Sequence, residues 1–508
     1  MRSETTTEWW ETRAFMVAMM LAAAIPLLWP DVPPLTDLPG HVGRYRVALD
    51  LDQSPLLRQF YDFRWTLVGN LGVDLLVIPL GRLIGLEPAV KLIVLLIPVL
   101  TVGGMLTLAR EIHGRLPPTA ILALPLAFSW PFQFGFVNYC LGVALALYAA
   151  ALWLRLGHGG RTGWRAALFV PISCLIWLCH VMAWGGFGLA VFAFELLGAR
   201  HQGRSWPRRV GAAILACLPL GLPLIINLAW WSQGPAGVTG SSQGLDVKIY
   251  FLLALLKNYH FAFDLFAALV LWMALVFGLL RDHLRFEARL GVGALLVMIV
   301  FLLMPNTVLG AAFADMRLVP FGMMLAVLAL APVAAMQPRH RKAIALVATA
   351  LFLLRIADHS FAYFTIDRGW REQAAAIDRL PRGARVFALA AIDCPTHWDD
   401  RRMHHLDGFA IARREAFTNG QWPMPGGRLL SVVYAPAHGF DIDPSQLLWP
   451  LHCQGEGMRL RYVMENLPRQ AFDYLWMIDL EPGRQPHDPG LIPVWRGPER
   501  GVLYRIAR

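Results

Sequence analysis

Long apolar runs, repeated along the first 357 residues, restrict the fold of this chain more than any other feature of its sequence. Each run has roughly 15–22 residues, and about 20 apolar residues in a helix cross the ~30 Å hydrocarbon core of a bilayer. Spans are predicted at residues 14–30, 89–109, 119–132, 138–155, 166–180, 183–199, 210–229, 262–280, 290–305, 319–336 and 342–357. Only 16% of the 508 residues are charged, compared with about a quarter in soluble domains. The sequence therefore predicts an α-helical polytopic membrane protein with about 11 transmembrane helices.

The basic residues indicate how the chain is oriented in the membrane. They account for a net charge of +10 and concentrate in every second loop between apolar runs, at residues 110–115, 155–165, 200–209, 281–289 and 339–342. The positive-inside rule places these loops in the cytoplasm, and an uncleaved first span then has a cytoplasmic N-terminus. A cleaved signal peptide is the alternative for this first run. Because the basic residues set topology, they predict no nucleic-acid partner. No GxxxxGK[ST] loop is present, which argues against a nucleotide-driven pump.

One further apolar stretch, at residues 67–88, is not counted as a span. It contains Asp74, Pro79 and Arg82, and counting it would invert the orientation of every later loop. We therefore predict an amphipathic helix lying in the membrane interface. Residues 31–88 then form one long outer loop.

The composition changes after the last span, and residues 358–508 are predicted to form a soluble α/β domain. Short strand-like runs alternate there with turn signals and a helix-like segment, namely "ARVFALAA", "LLSVVYA", "AFDYLWMID", "GVLYRIA" and "GWREQAAAIDRL". An odd number of spans places the domain outside the cytoplasm. Cys394 and Cys453 are its only cysteines, and an oxidising compartment would let them pair if they are adjacent. No CxxC or HExxH spacing points to a metal.

The outer loop after the first run carries the first candidate site. Asp31, Asp37, His41 and Arg44 lie there within 14 residues. A carboxylate can act as general base for a sugar hydroxyl or hold a divalent cation, and a histidine can assist either role. The alternative for Asp37 is structural, because it stands where it would cap a helix beginning at Leu38.

Other polar residues near the predicted outer ends of spans are candidates for substrate binding. They are Asn138, His180, Lys248, Lys257, His260, Asp315 and Arg317. Charges at membrane depth usually line a site or pathway, and basic groups there suit an anionic lipid phosphate. Structural alternatives exist for each of them: a helix start, a hydrogen-bonded histidine, interfacial lysines and a local pair between Asp315 and Arg317.

The order of these features resembles the GT-C superfamily of polyprenyl-phosphate-dependent glycosyltransferases. The segment "TDLPGHVGRYRVA" stands where that family has its first-loop acidic motif, and "LLVIPLGRLIGLEPAVKLIVLLIPVLTVGGMLTLAREIHG" resembles its amphipathic helix and following span. The resemblance implies a bacterial inner-membrane enzyme with a periplasmic C-terminal domain. It also implies that Asp37 is the catalytic base or a cation ligand, with His41 beside it. The usual acidic pair is absent, so a divalent cation and its ligands stay open.

Two functions from different classes follow. The first is transfer of a sugar from a polyprenyl-phosphate carrier to an envelope lipid or glycan acceptor, with Arg317, Lys248 or Lys257 offsetting charge on the leaving phosphate. The second is a non-enzymatic transporter or envelope-assembly factor with a periplasmic binding domain. A transporter is expected to place polar residues near the midplane in interrupted helices, whereas the acids here cluster at outer ends.

Overall fold

The computed structural model describes residues 7–198, 203, 205–231, 240, 244–308, 311–394, 398–422, 429–450 and 457–507. Helices dominate the first three quarters of the chain. The α-helices are α1 (Arg13–Ala22), α2 (Leu38–Asp50), α3 (Pro55–Phe60), α4 (Gly72–Ile84), α5 (Leu86–His113), α6 (Trp130–Phe134), α7 (Val137–His158), α8 (Thr162–Cys179), α9 (Val181–Leu196), α10 (Trp206–Cys217), α11 (Leu222–Trp231), α12 (Leu245–Leu253), α13 (Phe261–Leu280), α14 (Ala288–Leu303), α15 (Leu318–Leu328), α16 (Pro338–Ala374), α17 (Gly408–Arg414) and α18 (Leu460–Asn466).

The predicted fold class, a polytopic helical membrane protein with a C-terminal domain containing a sheet, is confirmed. Among the described residues, five helices are long and apolar enough to span a bilayer: α5, α7, α8, α13 and α16. The bent pair α10–α11, with an angle of 72° at its break, would make a sixth. Four further apolar elements are shorter, at Arg13–Leu27, Val181–Leu196, Ala288–Leu303 and Leu318–Leu328. Within the described part of the chain, helices long enough to span are thus fewer than the predicted 11.

Two of the predicted spans differ locally from long α-helices. Residues 119–132 fall largely in a buried 3-10 helix, Pro118–Phe128, which is followed by the short α6. Proline removes a backbone donor, and Pro125 lies inside this run while Pro131 opens α6. The run 319–336 starts as α15 but continues into a strand, Leu330–Pro332. Apolar composition alone did not distinguish these conformations.

The strands are β1 (Tyr61–Phe63), β2 (Leu284–Phe286), β3 (Leu330–Pro332), β4 (Arg385–Ala391), β5 (Phe417–Thr418), β6 (Leu430–Val432), β7 (Leu447–Leu448), β8 (Tyr474–Ile478), β9 (Leu491–Arg496) and β10 (Val502–Ile506). Six of them form one sheet in the order β5-β4-β8-β10-β9, with β7 also pairing with β4. Strand β4 is parallel to its neighbours, whereas β10 is antiparallel to β8 and β9. The four strand-like runs of the sequence correspond to β4, β6, β8 and β10.

The chain divides into two compact units. The first comprises Met1–Leu28, Val68–Val73 and Val94–Ser360, and it contains most of the apolar helices. The second comprises Trp29–Leu67, Asp74–Ile93 and Phe361–Arg508. Most of residues 31–88, the predicted outer loop, therefore belongs to the same unit as the C-terminal sheet, the exception being residues 68–73.

Strand pairing and packing explain why the first loop belongs to the second unit. Strand β1 pairs antiparallel with β6, with Tyr61 opposite Val432. Leu57, Phe60 and Tyr61 lie in one apolar core with residues of β4, β5 and β8. Burying such side chains contributes roughly 1.5–3 kcal/mol each. The sheet domain is thus completed by residues that precede it by more than 300 positions.

The stretch at residues 67–88 contains a helix of only 13 residues, α4. That is shorter than the about 20 residues needed to cross the hydrocarbon core. Asp74 in its first turn is buried and forms an ion pair with Arg44 of α2, at 2.6 Å between Nη2 and Oδ1. The helix is thereby fixed to α2 within the second unit. Its position relative to a membrane stays a prediction.

Candidate active site

Asp37 lies at the N-cap position of α2, but its side chain does not cap the helix. The backbone of Asp37 is already helical, with φ −86° and ψ −11°, whereas a capping residue is normally extended. No capping hydrogen bond from the carboxylate is present, and Pro39 in the first turn has no N–H to offer. The helix starts because Pro39 presets the backbone. The carboxylate of Asp37 is therefore not used to cap this helix.

His405, from the segment before α17, faces this carboxylate within the second unit. Its Nε2 atom lies 3.8 Å from Oδ1 of Asp37. The other ring nitrogen, Nδ1, lies 3.1 Å from the carbonyl oxygen of Gly420. A carbonyl only accepts, so Nδ1 carries the proton and Nε2 presents a lone pair in the neutral ring. The amide of Gln446 is a poorer partner for Nδ1, at 3.4 Å.

The neutral form of His405 is favoured by its surroundings. Burial lowers the pKa of His405 to about 4, against an opposing effect of the charge of Asp443. Burial also lowers the pKa of His41, and the charge of Arg44 adds to this. Both rings are thus uncharged near neutral pH. They can therefore accept hydrogen bonds at neutral pH without bringing a positive charge to the site.

Trp422 covers one side of the Asp37–His405 pair. Its ring centroid lies 4.4 Å from that of His405 and 5.3 Å from that of His41. It rests on α2 at Gly40, where a Cβ atom would come within 2.5 Å of Cζ3 of the indole. Glycine at this position therefore permits the close approach of the tryptophan.

Two further contacts tie the start of α2 to the C-terminal segment. Nη1 of Arg402 donates to the Pro34 carbonyl at 2.6 Å, and Nε2 of Gln421 donates to the Gly40 carbonyl at 3.1 Å. Arg402 also lies over the ring of Tyr363, at 5.8 Å. These contacts fix the backbone on both sides of Asp37.

The other predicted residues of the first loop have different surroundings. Asp31 is 68% exposed and lies 3.4 Å from Arg371, which also binds Asp367 at 2.7 Å. These residues line a cavity of about 210 Å³. Arg44 is buried against Asp74, so its described contacts are those of a structural ion pair.

Lys248 and Asp315 form a closed pair in the first unit. Nζ of Lys248 lies 2.5 Å from Oδ2 of Asp315 and donates to the carbonyls of Phe301 and Met304 at 2.9 and 2.8 Å. Oδ1 of Asp315 accepts from Asn306 at 3.2 Å. The three donors of the ammonium group and the carboxylate are therefore all engaged within the fold.

Arg317 and His180 belong to a second cluster of the first unit. Nη1 of Arg317 donates to the Ala312 carbonyl at 2.9 Å, and its guanidinium lies 3.9 Å from the centroid of Phe136. The Arg317 carbonyl accepts from the hydroxyl of Tyr139. His180 caps α9, because its Nδ1 accepts from the backbone N–H of Met182 at 3.1 Å. This capping hydrogen bond corresponds to the structural alternative for His180, a hydrogen-bonded histidine.

The last three predicted residues each have local partners in the same unit. Asn138 accepts from the Val73 N–H at 2.6 Å and donates to the Asn70 carbonyl at 3.0 Å. Nζ of Lys257 donates to the hydroxyl of Tyr250 at 3.1 Å. Nδ1 of the exposed His260 lies 2.6 Å from Asp358.

The sequence analysis missed a polar network beside His260. Arg355 is fully buried and pairs with Asp264, while its second amino group donates to the Leu256 carbonyl at 2.9 Å. The ring of His359, one turn later on α16, lies 2.9 Å from the amide of Asn258. The signal was a charged residue inside the predicted span 342–357, namely Arg355, which was not among the predicted site residues.

The described residues contain no group of three or more His, Cys, Asp or Glu side chains that could hold a metal ion. Predicted site residues instead fall into two sets. Asp31, Asp37, His41 and Arg44 lie in the second unit, whereas Asn138, His180, Lys248, Lys257, His260, Asp315 and Arg317 lie in the first. Within the second unit, Asp37 and His41 gather with His405 and Trp422.

Several solved structures are similar to this chain over nearly its whole length. ArnT from Cupriavidus metallidurans bound to undecaprenyl phosphate matches with 13% identity and a TM-score of 0.48, covering 97% of each chain. Its apo state matches with 13% identity and a TM-score of 0.49, again over 97% of each chain. Arabinofuranosyltransferase AftD from Mycobacteria matches with 15% identity and a TM-score of 0.47, over 98% of this chain and 42% of that one. No protein-family model and no curated protein matches the chain.

Proposed function

We propose that the protein is a membrane glycosyltransferase that moves a sugar from a polyprenyl-phosphate carrier to an envelope lipid or polysaccharide. The observation that carries the proposal is the carboxylate of Asp37. It stands at a helix start without capping that helix, only 15% exposed, and it faces the lone pair of His405. A carboxylate held in this way is suited to accept a proton, which is the role of a general base. The resemblance of "TDLPGHVGRYRVA" to the GT-C acidic motif supports the same assignment.

In this mechanism the acceptor hydroxyl is deprotonated by Asp37 as its oxygen attacks the anomeric carbon of the donor. The bond between that carbon and the phosphate oxygen breaks, and the polyprenyl phosphate leaves with the electron pair. The configuration at the anomeric carbon is inverted, because attack and departure occur on opposite faces. Asp37 would then lose its proton to solvent.

A cation beside the phosphate would stabilise the charge that develops on the leaving group. Lys248 is a weak candidate for this role because Asp315 already neutralises it. The described contacts of Arg317 and Lys257 are with aromatic rings and neutral oxygens, namely those of Phe136, Ala312, Trp130 and Tyr250. We propose Arg317 or Lys257 for this role because both are basic residues near predicted outer ends of spans.

The test is the substitution Asp37→Asn, which removes the base and keeps the shape of the side chain. Transfer should fall by about 10²–10⁴-fold, the usual loss when general-base assistance is removed. Because asparagine has nearly the size and shape of aspartate, the amount of folded protein should stay near normal. The measurement is restoration of the envelope glycan in a deletion strain, with the protein level in membranes checked by blot.

Asp31→Asn is the matched control, since it changes a carboxylate of the same loop that is 68% exposed and pairs only loosely with Arg371. It should restore the glycan nearly as well as the wild type. Wild-type glycan from a normally expressed Asp37→Asn protein would contradict the proposed role. An Asp37→Asn protein absent from the membrane would require Asp37→Glu, which should restore the level and part of the activity.

A further inference from the structure

A cavity of about 210 Å³ in the second unit is lined by charged side chains that the proposed function does not use. Its walls come from the end of α16, from α17 and from the segment that follows the first apolar run. Asp31, Arg371 and Arg413 line it, together with apolar side chains such as Val32 and Ala374. The volume corresponds to about seven water molecules at ~30 Å³ each. The cavity can therefore hold a small polar group.

Each arginine of the cavity keeps N–H groups that make no hydrogen bond within the described residues. Arg371 donates from Nε to Asp367 at 2.7 Å, which leaves both of its amino groups. Arg413 donates from Nε and Nη2 to Glu87, at 2.8 and 2.9 Å, which leaves Nη1. The donors of a guanidinium lie in one plane, and this geometry suits the oxygens of a phosphate. The two arginines thus offer donors to an anionic group.

The carboxylate of Asp31 is held more loosely than the other two carboxylates of the cavity. Asp367 accepts from Arg371 at 2.7 Å, and Asp378 accepts from Arg414 at 3.1 Å. Asp31 instead has a contact of 3.4 Å with Nη2 of Arg371, and its side chain is 68% exposed. An ion pair between exposed side chains contributes little to stability. Asp31 and Arg371 can therefore separate for a ligand at low cost.

These charges select the kind of ligand. A purely anionic group at Arg371 would be repelled by Asp31, and a purely cationic group at Asp31 would be repelled by Arg371. A molecule that carries both charges replaces the long ion pair by two new ones. Neither side chain is then left without an opposite charge. The apolar side chains of Val32 and Ala374 suit carbon atoms between the two charges.

The position of the cavity along the chain suits the headgroup of a lipid. Asp31 directly follows the predicted span 14–30. On α16, Phe361 and Phe364 are both more than half exposed, as expected of side chains that face hydrocarbon. Asp367 follows Phe364 by three residues, which is about 4.5 Å along a helix. The headgroup region extends roughly 5–7 Å beyond the hydrocarbon core on each side. Both segments therefore reach the cavity at the depth where headgroups lie.

We propose that this cavity binds an aminoethyl phosphate group, the headgroup of a zwitterionic membrane lipid. The phosphate accepts hydrogen bonds from the amino groups of Arg371 and Arg413, and the ammonium group donates to the carboxylate of Asp31. The ethyl carbons between them pack against Val32. Binding is non-covalent and separate from the transfer reaction.

Thermal unfolding of the full-length protein in detergent micelles with added lipid tests the proposal, because a ligand of the folded state raises the melting temperature. Phosphatidylethanolamine should raise it by about 2–4 °C over the lipid-free sample. Phosphatidylcholine has no N–H on its nitrogen, and phosphatidylglycerol has no cation. Each should give a smaller rise at equal mole fraction and with the same acyl chains. A rise with either that equals or exceeds the rise with phosphatidylethanolamine, or no rise with phosphatidylethanolamine, would overturn the inference.

Arg371→Gln removes one phosphate partner, and Arg368→Gln is the matched control. Arg368 lies on the same helix, is 73% exposed and pairs with Glu372 at 3.1 Å. Each variant is compared with its own lipid-free sample, so a change in basal stability does not enter. Arg371→Gln should lose most of the rise that phosphatidylethanolamine gives, whereas Arg368→Gln should keep it. An unchanged rise in Arg371→Gln, or equal losses in the two variants, would contradict the assigned site.

Soluble phosphoethanolamine separates the two possible sources of the group, and inorganic phosphate is the control for an anion alone. A rise with the lipid that exceeds the rise with soluble phosphoethanolamine assigns the cavity to a lipid headgroup. An equal rise with both supports the same aminoethyl phosphate chemistry and assigns it to the free compound as well. A rise with inorganic phosphate as large as that with phosphoethanolamine would mean that the ammonium group is not recognised, and the inference would fail.

Discussion

Two buried titratable side chains close to the candidate site, His405 and Asp407, have pKa values shifted in opposite directions. Burial lowers the pKa of His405 to about 4 and raises the pKa of Asp407 to about 6. Unperturbed values are about 6.5 for histidine and 3.9 for aspartate. As pH falls from 6.5 to 4, the unfolded chain binds a proton at the histidine that the folded chain does not, so stability is lost. Over nearly the same range the folded chain binds a proton at Asp407 first, so stability is gained.

The opposing effects predict how single substitutions change acid stability. The Asp407→Asn variant lacks the stability that Asp407 gains as pH falls. The melting temperature of this variant should therefore fall more steeply than that of the wild type between pH 6.5 and 4.5. The His405→Gln variant lacks the stability loss that His405 causes as pH falls, so the melting temperature of this variant should fall less steeply than that of the wild type. Each effect is on the order of 1–3 kcal/mol across this range. Thermal unfolding of the full-length protein in detergent measures both.

His41, whose pKa is also lowered by burial, by Arg44 and by His405, adds to the acid loss in all three proteins. Its contribution cancels for Asp407→Asn and becomes smaller in His405→Gln, which acts in the same direction as the effect expected there. The titratable groups that face His405 are Asp37, Asp443 and His404. Parallel pH profiles for the wild type and both variants would contradict the two assigned shifts.

The sequence identified part of the site because some of its signals are local. Asp37 was recognisable, since a polar turn with Pro39 directly follows an apolar run. His405 was not, because it lies 368 positions later in a segment without a motif, and only the folding of the second unit brings the two together. Arg44 was predicted to bind substrate, and the partner that occupies it, Asp74, is likewise distant in sequence. Pairing across such separations is a property of tertiary packing.

At the level of elements, the first loop contributes structure to the C-terminal sheet domain. The aromatic ring of Phe60, at the end of α3, lies 5.6 Å from that of Phe417 in β5 and 5.4 Å from that of Tyr434. Phe60 is 2% exposed, and the strand that comes directly after it, β1, pairs with β6. The period of the apolar residues predicted the strands of the domain, but it gave no indication that the domain begins before residue 358.

This arrangement predicts that Phe60→Ala destabilises the sheet domain. Truncating a buried phenylalanine leaves a cavity and costs about 3–5 kcal/mol. Thermal unfolding of the full-length protein, followed by the accessibility of Cys394 under reducing conditions, should show earlier loss of the domain. Leu67→Ala is the control, because Leu67 ends the same segment and is 56% exposed. Equal unfolding of the two variants would mean that the loop is not part of the core.

Across the whole molecule, exposed apolar side chains and tryptophans agree with a membrane environment. Leu279, Leu280 and Leu303 are 72–80% exposed, which soluble proteins avoid over extended patches. Trp164 and Trp206, at 77% and 60% exposed, stand at the starts of α8 and α10 beside basic residues. Tryptophan and arginine together mark the interface of a bilayer. These features indicate where the helices enter the membrane.

The state of Cys394 bears on the side of the C-terminal domain. Cys394 is disulfide-bonded, whereas Cys140, Cys174, Cys179 and Cys217 are free. Cys453, the predicted partner, lies outside the described residues. Disulfides persist in oxidising compartments such as the bacterial periplasm. This agrees with the predicted placement of the domain outside the cytoplasm.

Reporter fusions test the orientation on which the proposed function depends. A fluorescent reporter fused after Arg209 or Lys342 should fluoresce and an alkaline phosphatase there should be inactive, because both positions follow basic loops assigned to the cytoplasm. Fused after Arg508, the phosphatase should be active and the fluorescent protein dark. The paired reporters control for each other, since every position must give opposite results with the two. Phosphatase activity after Lys342 together with fluorescence after Arg508 would mean that the chain has the opposite orientation in the membrane. Asp37 and His405 would then face the cytoplasm, where a polyprenyl-phosphate sugar displayed on the outer leaflet cannot reach them.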